Sequence, residues 1–238
     1  MRRGRTIAFA CLLSTGCAEF GLAADSAGDA GLASKDGSVD AGGDGGTCAV
    51  KLCSTFDPPF DVRPYEWDAV VGDPSNTALA SPGLLSPNAL RITTPSAVAY
   101  VSKDVGLPKR ISVRLSLRVD SLPPDKNPSR PVELVCSTGG AFHVLRVFND
   151  GTLDFTDGSG HATPVSTIGL RTWLAVQIDV VAGAGGWTST VTTPSDGKNG
   201  VGTATTCDGT VAIRVGDMRD SATSAVLLFD DIQADWGQ

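Results

Sequence analysis

The chain is poor in the residues that most enzymes use to move protons or attack carbonyls. It has two histidines and two tyrosines in 238 residues, and its glutamates are Glu19, Glu66 and Glu133. With His143 and His161 alone, and no Gly-x-Ser-x-Gly elbow, a serine triad cannot be assembled. No glycine-rich phosphate loop or dinucleotide fingerprint occurs. No apolar stretch reaches the ~20 residues that a membrane-spanning helix needs. Long helices are excluded as well, because 14 prolines punctuate the chain from Pro58 onward. Aromatic residues make up 6% of the sequence, so each tryptophan counts heavily in any core.

What is present begins at the N-terminus. Arg2, Arg3 and Arg5 precede an apolar run from Ile7 to Leu13, and the small residues Ser14-Thr15-Gly16 lead into Cys17. That order predicts an export signal over residues 1–16. A cysteine directly after the small residues resembles the bacterial lipobox, which implies a diacylglycerol on Cys17 and attachment to a membrane. Ser14 stands where leucine is commonest in that motif. Ala18 is compatible with onward transport, so the expected location is the bacterial envelope, at the outer membrane or cell surface. Residues 17–47 follow as a tether of Ala, Gly, Asp and Ser, with too few large apolar groups to offset the entropy of ordering. Removing the signal takes three arginines and no acid from a chain of formal charge −7. So acidic a protein disfavours nucleic acid as a partner.

Export also sets the cysteine chemistry. Cys11 leaves with the signal and Cys17 takes the lipid. Cys48, Cys53, Cys136 and Cys207 remain for an oxidising compartment, where an even number predicts disulfides. Three pairings are open. Cys48–Cys53 with Cys136–Cys207 is favoured, and a four-cysteine zinc site lacks paired short spacings on its C-terminal side.

The folded domain is expected over residues 48–238, long enough for one sizeable core. Ile111-Ser-Val-Arg-Leu-Ser-Leu-Arg-Val119 alternates apolar and polar groups strictly, the pattern of a half-buried antiparallel strand. Leu174–Val180 and Val211–Val215 repeat it. Phe142–Phe148 and Thr152–Phe155, joined by Asn149-Asp-Gly151, predict a hairpin, and Ala182–Gly186 predicts a second turn leading to Trp187. About a dozen short strands with turns between them make an all-β, two-sheet antiparallel sandwich or a barrel.

Several phrases, in this order and spacing, resemble the concanavalin A-like lectin/glucanase superfamily in its LamG-like jelly-roll branch. They are Cys53-Ser-Thr-Phe-Asp57, Trp67, Ser86-Pro-Asn-Ala-Leu-Arg-Ile92, Arg171-Thr-Trp-Leu-Ala-Val-Gln-Ile-Asp179 and Val226–Trp236. The resemblance implies two stacked curved sheets with the first and last strands side by side. It also brings hydrolases and lyases into view. The hydrolases supply paired glutamates on one strand, and no Glu-x-Asp-x-x-Glu phrase exists here. Lyases of similar fold use a Gln-x-His strand with a tyrosine and an arginine. Here the nearest phrase is Gln177-Ile-Asp179, and Arg130 with Glu133-Leu134 echoes another lyase phrase.

On these grounds the expected function is a non-catalytic surface domain that binds a glycan or an envelope protein. The alternatives are a diverged polysaccharide-active enzyme of the same fold, for which Glu133 is the residue to test, and a structural envelope protein. Trp187, after a glycine run, is the expected sugar platform, with Trp67, Trp173 and Trp236 assigned to the core. The resemblance further implies one structural calcium, held by Asp230 and Asp231 of the last strand with Asp57 of the first. That expectation rests on Asp230 sharing its parity with Val226, Leu228, Ile232 and Trp236. Alternatively, Asp230 accepts backbone or arginine hydrogen bonds, or a bulge turns it outward.

Overall fold

A computed structural model describes residues 50–54, 56, 66–94, 98–157, 160–193, 198–204, 207–219 and 223–238. The signal, Cys17, the tether, Cys48 and Asp57 lie outside them. Fifteen strands and one short 3-10 turn, Pro74–Asn76, make up the regular structure of the described residues. The alternating phrases all form strands: β6 (Arg110–Ser121), β11 (Trp173–Gly183) and β14 (Val211–Asp217). In β6 the odd residues Ile111, Val113, Leu115, Leu117 and Val119 are at most 3% exposed, so period-2 patterning has fixed which face is buried.

The strands divide into two antiparallel sheets. The first runs β13 (Lys198–Ala204), β12 (Gly186–Thr193), β11, β6, β15 (Ala225–Gly237), β4 (Ala89–Thr94) and β3 (Thr77–Ala80). β1 (Leu52–Ser54) also pairs with β15, Leu52 opposite Ala234, so the first and last strands are neighbours. The second sheet runs β10 (Ala162–Thr167), β9 (Thr152–Asp157), β8 (Gly140–Val147), β7 (Ser129–Cys136), β14, β5 (Ala99–Gly106) and β2 (Ala69–Val71). Both predicted hairpins form. Gly151, at φ 81°, closes β8 onto β9, and Gly183 faces Gly186 at the β11–β12 turn.

Between the sheets lies one apolar core. Phe155, Phe229, Leu117, Leu134, Ile178 and Ile213 are among its largest fully buried side chains. Each stabilises the fold by roughly 1.5–3 kcal/mol through burial alone. Trp187 belongs to this core at 5% exposure, which corrects its assignment as an exposed platform. The cause is parity: in β12 Trp187, Ser189, Val191 and Thr193 point inward, while Thr188 is exposed.

In β15 the alternative given for Asp230, backbone hydrogen bonds and a bulge, is the one that occurs. A bulge between Asp230 and Gln233, with Asp231 at φ 48°, switches the strand's buried face. Ala225, Leu227 and Phe229 are buried before it, and Ile232 and Ala234 after it.

Cys136 and Cys207 form a disulfide with Cα atoms 5.7 Å apart. Cys53 is also disulfide-bonded.

Candidate active site

On the outer face of the second sheet, register gathers residues that are far apart in sequence. Glu133 of β7 stands opposite Arg214 of β14 on one side and Val144 of β8 on the other. Two residues along β14, Gly216 faces Tyr100 of β5. A Cβ at Gly216 would lie 2.5 Å from the Tyr100 Cα and 2.6 Å from its Cβ, and φ there is 152°. Only glycine permits that approach, and it lets the Tyr100 ring settle beside Arg214, 4.9 Å from the guanidinium carbon.

Glu133 is the chemical centre of this face. Its neighbours Val132 and Leu134 point into the core, so its own side chain points out. It is nevertheless only 4% exposed. Arg130 Nη1 donates to its Oε1 at 3.4 Å, and Arg214 Nη1 lies 4.0 Å from its Oε2. Burial pushes the carboxyl above its ordinary value. The charge and hydrogen bond of Arg130, then the charge of Arg214, oppose that rise, and Asp217 adds to it.

Asp217, fully buried at the end of β14, fixes the start of β7. It accepts from Arg130 N at 3.1 Å, Ser129 Oγ at 3.3 Å and Thr94 Oγ1 at 3.0 Å. Arg219, also buried, pairs with it at 3.5 Å. Further along the outer face, Arg146 of β8 grips Asp154 of β9 through two hydrogen bonds of 2.7 and 2.6 Å.

The other residues singled out from the sequence are scattered. Gln177 and Asp179 sit on the outer face of the opposite sheet, where Asp179 accepts from Gln177 Nε2 and Ser112 Oγ, both at 2.6 Å. His143 is inside the core, stacked on Phe155 at 5.5 Å. His161 is exposed in its turn, its N–H donating to Asp157 Oδ1.

Asp230 is completely buried beneath the segment Leu84–Ser86. Its carboxylate accepts from the backbone N–H groups of Leu84, Leu85, Ser86 and Asp231 and from Ser86 Oγ. Asp231 accepts from Gln233 Nε2. No cluster of metal-ligating side chains occurs among the described residues.

The sequence suggested Arg130 and Glu133 together, because with Leu134 they echo a lyase phrase. It gave no sign of Arg214 or Tyr100, which reach the site only through strand order.

No family model matches the chain, and no curated protein matches it. Solved structures do. A family 7 alginate lyase in complex with product superposes with TM-score 0.50 at 14% identity, covering 63% of this chain and 80% of the lyase. A sialidase superposes with TM-score 0.52 at 14% identity over 78% of this chain, which spans 18% of the sialidase's length.

These neighbours overturn the expectation of a non-catalytic binding domain, and with it the expectation that the chain is not an enzyme. They fit the alternative, a diverged polysaccharide-active enzyme of the same fold. Complete catalytic phrases are absent from single strands, whereas Glu133 and Tyr100 each lie beside Arg214 from a different strand. At such low identity the likeness establishes architecture alone: the chain has the concanavalin A-like jelly-roll fold.

Proposed function

We propose that this protein is a polysaccharide lyase that cleaves a uronate-containing polymer by β-elimination at Glu133. The observation that carries the proposal is a buried carboxyl of raised pKa held between two guanidiniums on an outer sheet face. Elimination needs a cation to neutralise the substrate carboxylate, a base for the proton α to it, and an acid for the departing oxygen. Arg130 and Arg214 supply the positive charge. Glu133 takes the α-proton, the electron pair left behind forms the carbon–carbon double bond, and the bond to the glycosidic oxygen breaks. Tyr100, beside Arg214, delivers a proton to that oxygen. Water is not consumed.

A hydrolase is disfavoured because a retaining site needs a second carboxyl ~5 Å away. The groups closest around Glu133 are arginines. The alginate lyase among the structural neighbours acts on a polyuronate, so alginate is the first substrate to offer. We place the enzyme in the envelope of its cell, attached through a lipid on Cys17 and acting on polymer outside the membrane.

The test is ultraviolet absorbance of the unsaturated product on a panel of polyuronates. Glu133→Gln is expected to lower turnover by about 10²–10⁴-fold with little change in melting temperature. Because the base must be ionised, turnover should rise with pH through a limb above the ordinary glutamate range. Full activity of Glu133→Gln would end the proposal.

A further inference from the structure

We infer that the outer face of the opposite sheet is a second saccharide-binding surface, one that holds the same acidic polymer away from the proposed catalytic face. The identity of the polymer rests on the lyase reading, whereas the surface itself rests on its own geometry.

Three strands contribute to it in register. Gln177 of β11, Arg114 of β6 and Gln233 of β15 form one row across the sheet, and Asp179, Ser112 and Asp235 form the next. Together with Arg110 and Val50 these side chains line a groove of about 320 Å³. Neighbours within a row stand at the strand spacing of ~4.8 Å, and the donor-rich and acceptor-rich rows lie two residues, ~6.7 Å, apart along the strands, a grid that suits the hydroxyl pattern of a linear sugar chain.

The groove is preorganised. The two 2.6 Å hydrogen bonds on Asp179 fix its carboxylate together with Ser112 and Gln177. Arg110 is tied to Asp235 at 3.3 Å. Arg114 is the exception. It is exposed, flanked by two neutral amides, and forms no salt bridge among the described residues. An uncommitted guanidinium amid fixed hydrogen-bonding groups matches a ligand that is rich in hydroxyls and carries a carboxylate.

The same face also provides an aromatic ring. Trp173, the first residue of β11, shares the outward parity of Gln177 and Asp179 and is half-buried, with the Arg118 guanidinium 5.9 Å from its ring. Between Trp173 and Gln177 the outward residue of β11, Ala175, is exposed, whereas Ser116 opposite it on β6 is buried beside Asp230 and the Leu84–Ser86 segment, so the exposed path runs along β11 itself. Four residues of strand span ~13 Å. A chain lying along β11 can therefore stack one ring on Trp173 and place a carboxylate at Arg114.

The test is affinity electrophoresis of the full chain through gels containing alginate, with a neutral β-glucan as control. The background is Glu133→Gln, so the polymer is not degraded. Trp173→Ala and Arg114→Ala should each weaken retention by about fivefold. Arg114→Ala should also lessen the salt dependence of retention, the arginines of the other face supplying the remainder. In the Glu133 background, turnover of short soluble oligouronates should be unchanged by either substitution. Gln177→Ala serves as a further variant should Trp173→Ala unfold the domain.

Retention of the polymer that is unaltered by Arg114→Ala and Gln177→Ala would overturn the surface, as would no retention at all. Retention lost in these variants, with no turnover by the unmodified chain, would support the surface while removing the lyase reading. The two ideas therefore fail separately.

Discussion

At the scale of single residues, the fold fixes protonation states that composition alone conceals. His143 is 1% exposed and stacked on Phe155, and burial pulls its pKa from 6.5 down to about 4 against the opposing charge of Asp157. Its folded pKa is depressed, so between pH 4 and 6.5 the unfolded chain binds more protons than the folded one. Stability attributable to His143 is full above about pH 6.5 and is lost as pH falls toward 4. The linkage amounts to ~3 kcal/mol as an upper figure. His143→Phe should keep the stacking and flatten this acid limb, which urea melts at pH 7 and pH 4.5 would reveal. A stability difference between those pH values that is unaltered by the substitution would contradict the account. Glu133 shifts in the opposite sense for the same reason. Burial raises its pKa, so its neutral form favours the fold at low pH, and that contribution fades as pH rises through the folded value.

At the scale of elements, β15 shows why a correct strand can carry an incorrect face. Its apolar residues predicted the strand well. The bulge at Asp230–Asp231 inserts residues that shift the parity, and nothing in the local pattern announces it. Asp230 thereby points away from the core and is buried instead by the segment Leu84–Ser86, about 145 residues earlier in the chain, whose N–H groups converge on it. Asp230→Ala would leave several of those donors without an acceptor and should cost ~3 kcal/mol in chemical denaturation. Hydrogen exchange at Leu84–Ser86 should accelerate more than exchange in β6. Uniform acceleration across both would mean that Asp230 acts on the whole sandwich rather than as the pin of one loop. The tryptophans teach a similar lesson. Trp187 follows a glycine run and reads as an exposed sugar platform, but its place in β12 makes it inward, while Trp173, assigned to the core, lies on the outer face.

At the scale of the whole molecule, the period-2 strands, the hairpin turns and the neighbouring termini were legible because they depend on local pattern. The site was not, since Glu133 and Arg214 are adjacent only after the long excursion from β8 through β13 returns to β14. The Cys136–Cys207 disulfide closes that same excursion, spanning 71 residues, and Cys136 ends the strand that carries Glu133. A cross-link over so long a loop lowers the entropy of the unfolded chain, with a typical yield of about 2–4 kcal/mol. Replacing both cysteines by serine should lower the melting temperature by roughly 5–15 °C for a domain of this size. Backbone pairing of Glu133 with Arg214 does not depend on the sulfur bridge. Turnover measured well below the new melting temperature should therefore be retained, and treatment of the unmodified chain with a reductant, which also opens the bridge of Cys53, should lower the melting temperature by at least as much. Loss of turnover in a variant that still melts cooperatively would show instead that the bridge holds β7 and β14 in the register the site requires.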